Sequence, residues 1–245
     1  MRIRVLAWSI SALILGASCS GPMPGIGPRP SSPVTASTVL TPDRGSLVFS
    51  DDFNDSNGGW SRDSTADFNA SFIGGAYVVV ARNYVDHEIA VPYVDPKDQL
   101  SVAVTATQSL GSPALAGFGV GCVRGLTDPT VHYTFVVMVG GTWNLYRHDE
   151  RPGAPSPHTL LKQGTSPKKP GPISLTVELI CATLADGVTT RLAMYVNSAQ
   201  VADIADPVKD LPRLGWLGSL VVRGDDPGPT TVTATHYEER DLQYP

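Results

Sequence analysis

Hydrophobic and polar positions alternate along most of the chain from Leu47 onward. Leu100, Val102, Val104 and Ala106 are interleaved with Ser101, Ala103, Thr105 and Thr107. Val131, Tyr133, Phe135, Val137 and Val139 repeat the pattern. Successive side chains of a strand point to opposite faces, so a period of two marks half-buried β-structure. The pattern predicts strands at 46–50, 67–72, 76–81, 87–91, 100–107, 116–123, 131–139 and 143–148. Further strands are predicted at 159–162, 173–182, 189–196, 200–204, 215–223 and 230–238. Gly74 and Gly75, Gly140 and Gly141, Asp186 and Gly187, and Asn197 and Ser198 fall between these runs and suit tight reversals. No stretch has the 3.6-residue period of a useful amphipathic helix; 206–211 could form one turn. Many short strands with regular turns predict an all-β sandwich or jelly roll.

The stretch 116–124 organises this pattern. Phe118, Val120 and Cys122 share one face, and small residues alternate with them, so something can lie close over the other face. Its expected neighbour is 173–181, where Ile173, Leu175, Val177, Leu179 and Cys181 share a face. A disulfide between Cys122 and Cys181 would then lock one sheet from inside; the other reading is two buried thiols.

The beginning of the chain has a different character. Arg2 and Arg4 precede an apolar run over 5–15, and Gly16, Ala17 and Ser18 lead to Cys19. A basic start, a short apolar run and small residues make a secretory signal, because the run is too short to span about 30 Å of hydrocarbon. The ending resembles a bacterial lipobox, in which Cys19 is lipidated and becomes the mature N-terminus. The position three before the cysteine is Gly16, with Leu15 one further back. The alternative is an ordinary cleaved signal with an incidental cysteine. Residues 19–45 are rich in Gly, Pro, Ser and Thr and cannot bury enough surface to offset their ordering entropy, so they form a flexible linker. The predicted organisation is a signal at 1–18, a linker at 19–45 and one folded domain at 46–245.

Composition narrows the partners. The chain has three cysteines; with Cys19 assigned to lipid, Cys122 and Cys181 remain as an even pair in an exported protein. Loss of Arg2 and Arg4 leaves 16 basic residues against 23 acidic ones, a net charge of −7. That argues against nucleic acid as a partner.

A family resemblance follows from an ordered set of motifs. Asp51, Asp52 and Phe53, with Gly59 and Trp60 closing the loop, open it. The segments 119–122, 133–135, 141–146, 175–181, 192–197 and 214–218 follow in order. The chain over 46–242 resembles the concanavalin A-like, or laminin G-like, jelly-roll domains of actinobacterial lipoproteins, in which paired cysteines also occur. The resemblance implies two stacked antiparallel sheets with the last strand beside the first. His236, Tyr237, Glu238 and Glu239 depart from the closing strand of many relatives, so a calcium site using that strand is not expected.

Several side chains are candidates for chemistry. Asp51, Asp52 and Asp55 form an oxygen-rich loop of the kind that holds calcium in some relatives, and calcium takes six to eight oxygen ligands. The competing role is turn capping, and no cofactor is expected. Trp143 follows a hairpin, with Tyr146 and Arg147 close behind; these three are the candidate ligand platform, against core packing for the tryptophan. The sugar hydrolases of this architecture carry Glu-x-Asp-x-Glu on one strand, which places two carboxyls about 5 Å apart. No such pattern occurs here, nor a nucleophile elbow, a zinc-protease motif or a phosphate loop. The clusters Asp86, His87, Glu88 and His148, Asp149, Glu150 read as surface loops. The resulting expectation is a non-catalytic, membrane-tethered module on the extracytoplasmic face that recognises a cell-envelope glycan or protein. The alternatives are an envelope carbohydrate-active hydrolase or lyase, and a structural component of an envelope complex.

Overall fold

A computed structural model describes residues 45–242, apart from 84–85, 93, 125–130, 155, 209–214 and 226–227. Cys19, the signal at 1–18 and linker residues 19–44 lie outside the described residues.

Every regular element among the described residues is a strand. In order these are Ser46–Asp51 (β1), Phe68–Ile73 (β2), Ala76–Ala81 (β3), Asp86–Ala90 (β4), Gln99–Gln108 (β5), Gly117–Arg124 (β6) and Val131–Met138 (β7). Then come Thr142–Asp149 (β8), His158–Thr165 (β9), Leu175–Thr183 (β10), Thr189–Val196 (β11), Ala199–Pro207 (β12), Trp216–Arg223 (β13) and Thr230–Asp241 (β14). The turn expected at 206–211 is not one at its start, because Asp206 and Pro207 close β12; 209–211 lie outside the described residues. Asn197 and Ser198 both take positive φ, at 49° and 65°, as a two-residue hairpin between twisted strands requires.

Two antiparallel sheets result. One runs β12-β11-β10-β5-β14-β3-β2, with β1 also paired to β14; the other runs β4-β13-β6-β7-β8-β9. A register shift between Ala234 and His236 divides β14. Its first half pairs with β3 and its second half with β1, so the last strand lies beside the first.

The sandwich core holds the inward residues of both sheets. Phe118, Val120, Tyr133, Phe135, Leu145 and Leu220 come from one sheet; Val102, Val104, Leu179, Leu192 and Tyr237 come from the other. Cys122 and Cys181 are bonded, with Cα atoms 6.5 Å apart. The expected pairing of their strands is corrected: β6 lies between β13 and β7, and β10 lies between β11 and β5. The bridge joins the two sheets across the core rather than two strands within one. Period-two alternation specifies a buried face, but not which sheet that face belongs to.

The opening loop closes one end of this core. Trp60 is buried and donates its indole N–H to Asp51 Oδ2 at 2.8 Å. Its ring meets Phe53 edge-on at 5.2 Å and Tyr237 at 5.0 Å. The other end holds polar ties between the sheets. Arg147 donates to both oxygens of Asp206 at 3.0 Å, and the Tyr133 hydroxyl donates to the same carboxylate at 2.9 Å.

One carboxyl sits inside the core. Glu239 is fully buried; Tyr237 donates to its Oε1 at 2.9 Å, while Oε2 has no hydrogen-bond partner. A Cβ on Gly218 of the facing sheet would collide with both side chains, so only glycine fits there. Burial raises the Glu239 pKa above the ordinary carboxylate value, against the opposing hydrogen bonds from Tyr237 and the Gly218 backbone. The folded state therefore favours the protonated form. That stability is fully present below the unfolded-state pKa and is lost as pH rises towards the folded-state value.

Two outcomes follow. Replacing Cys122 and Cys181 together by Ala should cost about 4 kcal/mol, from the loop-closure entropy of a bridge with a sequence separation of 59; a urea titration at fixed temperature reads this as a lower midpoint. Glu239→Gln should gain on the wild type as pH rises from 5 to 8, by on the order of 1–3 kcal/mol, the cost of an incompletely bonded buried polar group. Thermal midpoints of the two proteins, compared at each pH, check the sign.

Candidate functional site: a cleft on the outer face of the six-stranded sheet

The site starts from the alternation in β6. Phe118, Val120 and Cys122 point into the core, so Gly117, Gly119 and Gly121 occupy the outward side of the same strand. The bare strip has a packing cause. A Cβ at Gly119 would fall on the Phe135 carbonyl, and one at Gly121 would fall on the Ser219 hydroxyl. Side chains from the flanking strands lean over this strip. Glu88 on β4 brings Oε1 to 3.3 Å from His132 Nε2 on β7. The Arg223 guanidinium on β13 lies 5.1 Å from the centre of the Tyr146 ring on β8. Between these groups is a cleft of about 570 Å³, completed by Asp86, His148, Glu150 and His158.

Arg223 is a structural cation within this wall. Asp86 accepts from its Nε at 2.6 Å and its Nη2 at 3.1 Å, and both side chains are nearly buried. The Tyr146 hydroxyl accepts from Asn144 Nδ2 at 2.8 Å.

The three histidines form a connected row. His132 and His148 are direct cross-strand partners, with rings stacked at 4.4 Å. His148 Nδ1 lies 2.7 Å from His158 Nδ1, and its Nε2 lies 3.0 Å from Thr134 Oγ1. Two imidazole nitrogens at that distance share one proton: one ring donates and the other accepts. Burial, then His158, pushes His132 down to about 4. Burial, then His132, does the same to His148. Burial, then Asp86 and Glu150, raises Glu88 to about 8. At neutral pH both imidazoles are therefore uncharged, and each keeps a nitrogen lone pair.

The sequence candidates are distributed as follows. Tyr146 lines the cleft. Trp143 does not: it is 3% exposed on the core side of β8, edge-on to Phe135 at 5.9 Å and covered by Gly164. Arg147 is also on the core side, held by Asp206. The ligand platform expected from these three is thus corrected to Tyr146 alone, because neighbours in a strand face opposite ways. Asp51, Asp52 and Asp55 do not converge on one point. Asp51 accepts from Phe53 N and Trp60 Nε1, Asp55 accepts from Asn57 N, and Asp52 pairs with His236 at 2.5 Å.

The clusters read as surface loops are corrected too. Asp86 and Glu88 share a face of β4, and His148 lies on β8 just before Glu150, so both clusters contribute to the cleft. His132, His158 and Arg223 were not anticipated. The available signal was parity: Asn144, Tyr146 and His148 are polar or amphipathic against inward Trp143 and Leu145, and His132 is out of phase with Tyr133 and Phe135.

No known family model matches the chain, and no curated protein does either. Solved structures do. The carbohydrate recognition domain of Emp46p superposes with a TM-score of 0.56 at 10% identity, covering 84% of this chain and 100% of that one. An endo-1,3-beta-glucanase from Streptomyces sioyaensis gives 0.54 at 12%, covering 82% and 98%. Alginate lyase Aly36B gives 0.50 at 11%, covering 81% and 100%. At these identities the shared property is the fold, a two-sheet antiparallel sandwich of the lectin and jelly-roll kind. The expectation of a non-enzyme, drawn from missing motifs, is corrected by these neighbours: two of the three are enzymes that lie on this fold. Missing hydrolase motifs therefore do not make the chain non-catalytic.

Proposed function

We propose that the protein is a carbohydrate-binding or carbohydrate-active protein of the cell envelope, and that its glycan lies in the cleft over the β6 glycines. The observation that carries this reading is the convergence of a half-buried tyrosine, three imidazoles and carboxyl groups on one open cleft of a sandwich fold shared with sugar-binding and sugar-cleaving proteins. Carboxyl and imidazole groups exchange hydrogen bonds with ring hydroxyls, and an aromatic face covers the apolar side of a sugar. The charge pattern favours a neutral glycan over an anionic one. Arg223 is already neutralised by Asp86, and no other Lys or Arg lines the cleft among the described residues.

Chemical action on the bound glycan is the second reading. It is favoured by the placement of groups able to move protons, Tyr146, His148 and Glu88, around one cleft. We also propose that Cys19 is acylated and that residues 20–45 act as a stem, which places the domain at the extracytoplasmic face of the cell membrane. The basic start, short apolar run and small residues before Cys19 support this, as does the composition of the stem.

Two measurements test these readings. Calorimetric titration with neutral β-1,3-glucan oligosaccharides should show saturable binding, with alginate oligosaccharides weaker. Tyr146→Ala should weaken the neutral ligand about tenfold, or 1.4 kcal/mol. New reducing ends or unsaturated products that disappear in Tyr146→Phe would make the cleft catalytic; no binding to any neutral glycan would remove the glycan reading. Separately, a fatty-acid analogue fed to expressing cells should label the wild-type chain and leave Cys19→Ala unlabelled and released from the membrane fraction.

A further inference from the structure

Glu88, His132 and His148 stand on three strands, β4, β7 and β8, of one hydrogen-bonded sheet. Each offers one ligand atom, and the three atoms lie within 4.8 Å of one another. A tetrahedral zinc centre has metal–nitrogen and metal–oxygen bonds of about 2.0–2.2 Å, which puts its ligand atoms roughly 3.3 Å apart. The edge from Glu88 Oε1 to His132 Nε2 already has that length, at 3.3 Å. The distances to His148 remain to close, from a set already within 4.8 Å.

The surroundings support the same use. His148 has a hydrogen-bond partner at each ring nitrogen, His158 at one and Thr134 at the other. With Nε2 turned to a cation, Nδ1 keeps His158 as its partner, and metal-bound histidines are held in this way. The three ligands also stand on paired strands rather than on a loop, which limits how far the set can spread.

We propose that Glu88, His132 and His148 bind one zinc-type divalent cation, with a fourth coordination position facing the cleft. Two imidazoles and a carboxylate with an open fourth position form the ligand set of many catalytic zinc sites. The mixed nitrogen and oxygen donors favour zinc, cobalt or copper over calcium and magnesium, which take oxygen donors in larger number. In the cleft the open position would hold a water molecule or a hydroxyl of a bound ligand. The cation would add positive charge to a wall whose only other fixed cation is paired with Asp86, among the described residues that line the cleft. The inference stands on ligand geometry and does not depend on the glycan reading.

The test uses the untagged full chain, freed of metal with a chelator and titrated with Zn²⁺ and with Co²⁺ in the absence of sugar. The expected result is one equivalent bound, with the visible absorption of four-coordinate cobalt. Glu88→Gln, His132→Ala and His148→Asn should each lower the affinity at least tenfold. His158→Gln alters an exposed side chain that a folded protein tolerates, and it should cost ten- to a hundredfold by removing the orienting partner of His148. Circular dichroism establishes folding for each variant, and any ligand variant that does not fold leaves the decision to His158→Gln and the cobalt spectrum. No stoichiometric binding, an octahedral cobalt spectrum, or affinity unchanged in folded variants would overturn the proposal. Because no sugar is present, failure here leaves the glycan reading intact, and failure of glycan binding leaves this one intact.

Discussion

β6 is crowded on one side and bare on the other, and both the core and the cleft depend on that asymmetry. Phe118, Val120 and Cys122 fill the middle of the sandwich, while Gly117, Gly119 and Gly121 leave the outward face open. Three glycines in a strand are unfavourable by roughly 0.5–1 kcal/mol each relative to alanine. The offset comes from position: β6 is hydrogen-bonded along its length to β13 on one side and β7 on the other, and its cysteine is tied to the second sheet. With larger outward side chains on β6, Glu88 and Arg223 could not reach His132 and Tyr146, and the two walls would face each other across a ridge.

Strands were legible in the sequence because each carries its own evidence, a period of two bounded by turn residues. Every segment predicted as a strand is one, with ends displaced by a few residues. Sheet membership was not legible. Cys122 and Cys181 both lie on apolar faces, and that pattern is the same whether the faces are neighbours in one sheet or opposed across a core. The site was partly legible. Tyr146, one of the sequence candidates, lines the cleft, but Trp143 and Arg147 came with it because closeness in sequence stood in for closeness in space; in a strand, adjacent residues are separated by the sheet itself. Asp86, Glu88, His148 and Glu150 were visible as polar clusters. What hid their role was the strand order, which puts β4 in one sheet with β7 and β8 and only β13 and β6 between, and which no local pattern encodes.

The polar groups inside the sandwich are not evenly placed. The Arg147–Asp206–Tyr133 cluster and the hydrogen bond from Trp216 Nε1 to Thr183 join the two sheets by directed bonds, and Asp51 anchors the Trp60 plug within the opening loop. Elsewhere the packing is mainly apolar, and Glu239, Gln108, Thr190 and Thr230 are buried polar residues among the described ones. Directed bonds at the margin fix the offset of one sheet over the other, which dispersion in an apolar core does not specify. The solved neighbours share this architecture but bear names as different as a recognition domain and a lyase. The fold they share therefore does not fix a chemistry.

The bridge between Cys122 and Cys181 also closes a covalent ring through the chain. That ring contains β7, β8 and β9, and with them His132, Tyr146, His148 and His158. Asp86, Glu88 and Arg223 lie outside it, on β4 and β13. One wall of the cleft is thus inside the ring and the opposite wall is not. Opening the ring gives the histidine wall freedom that the carboxylate wall does not share. The bridge is thus a covalent restraint on one wall of the cleft and not on the other.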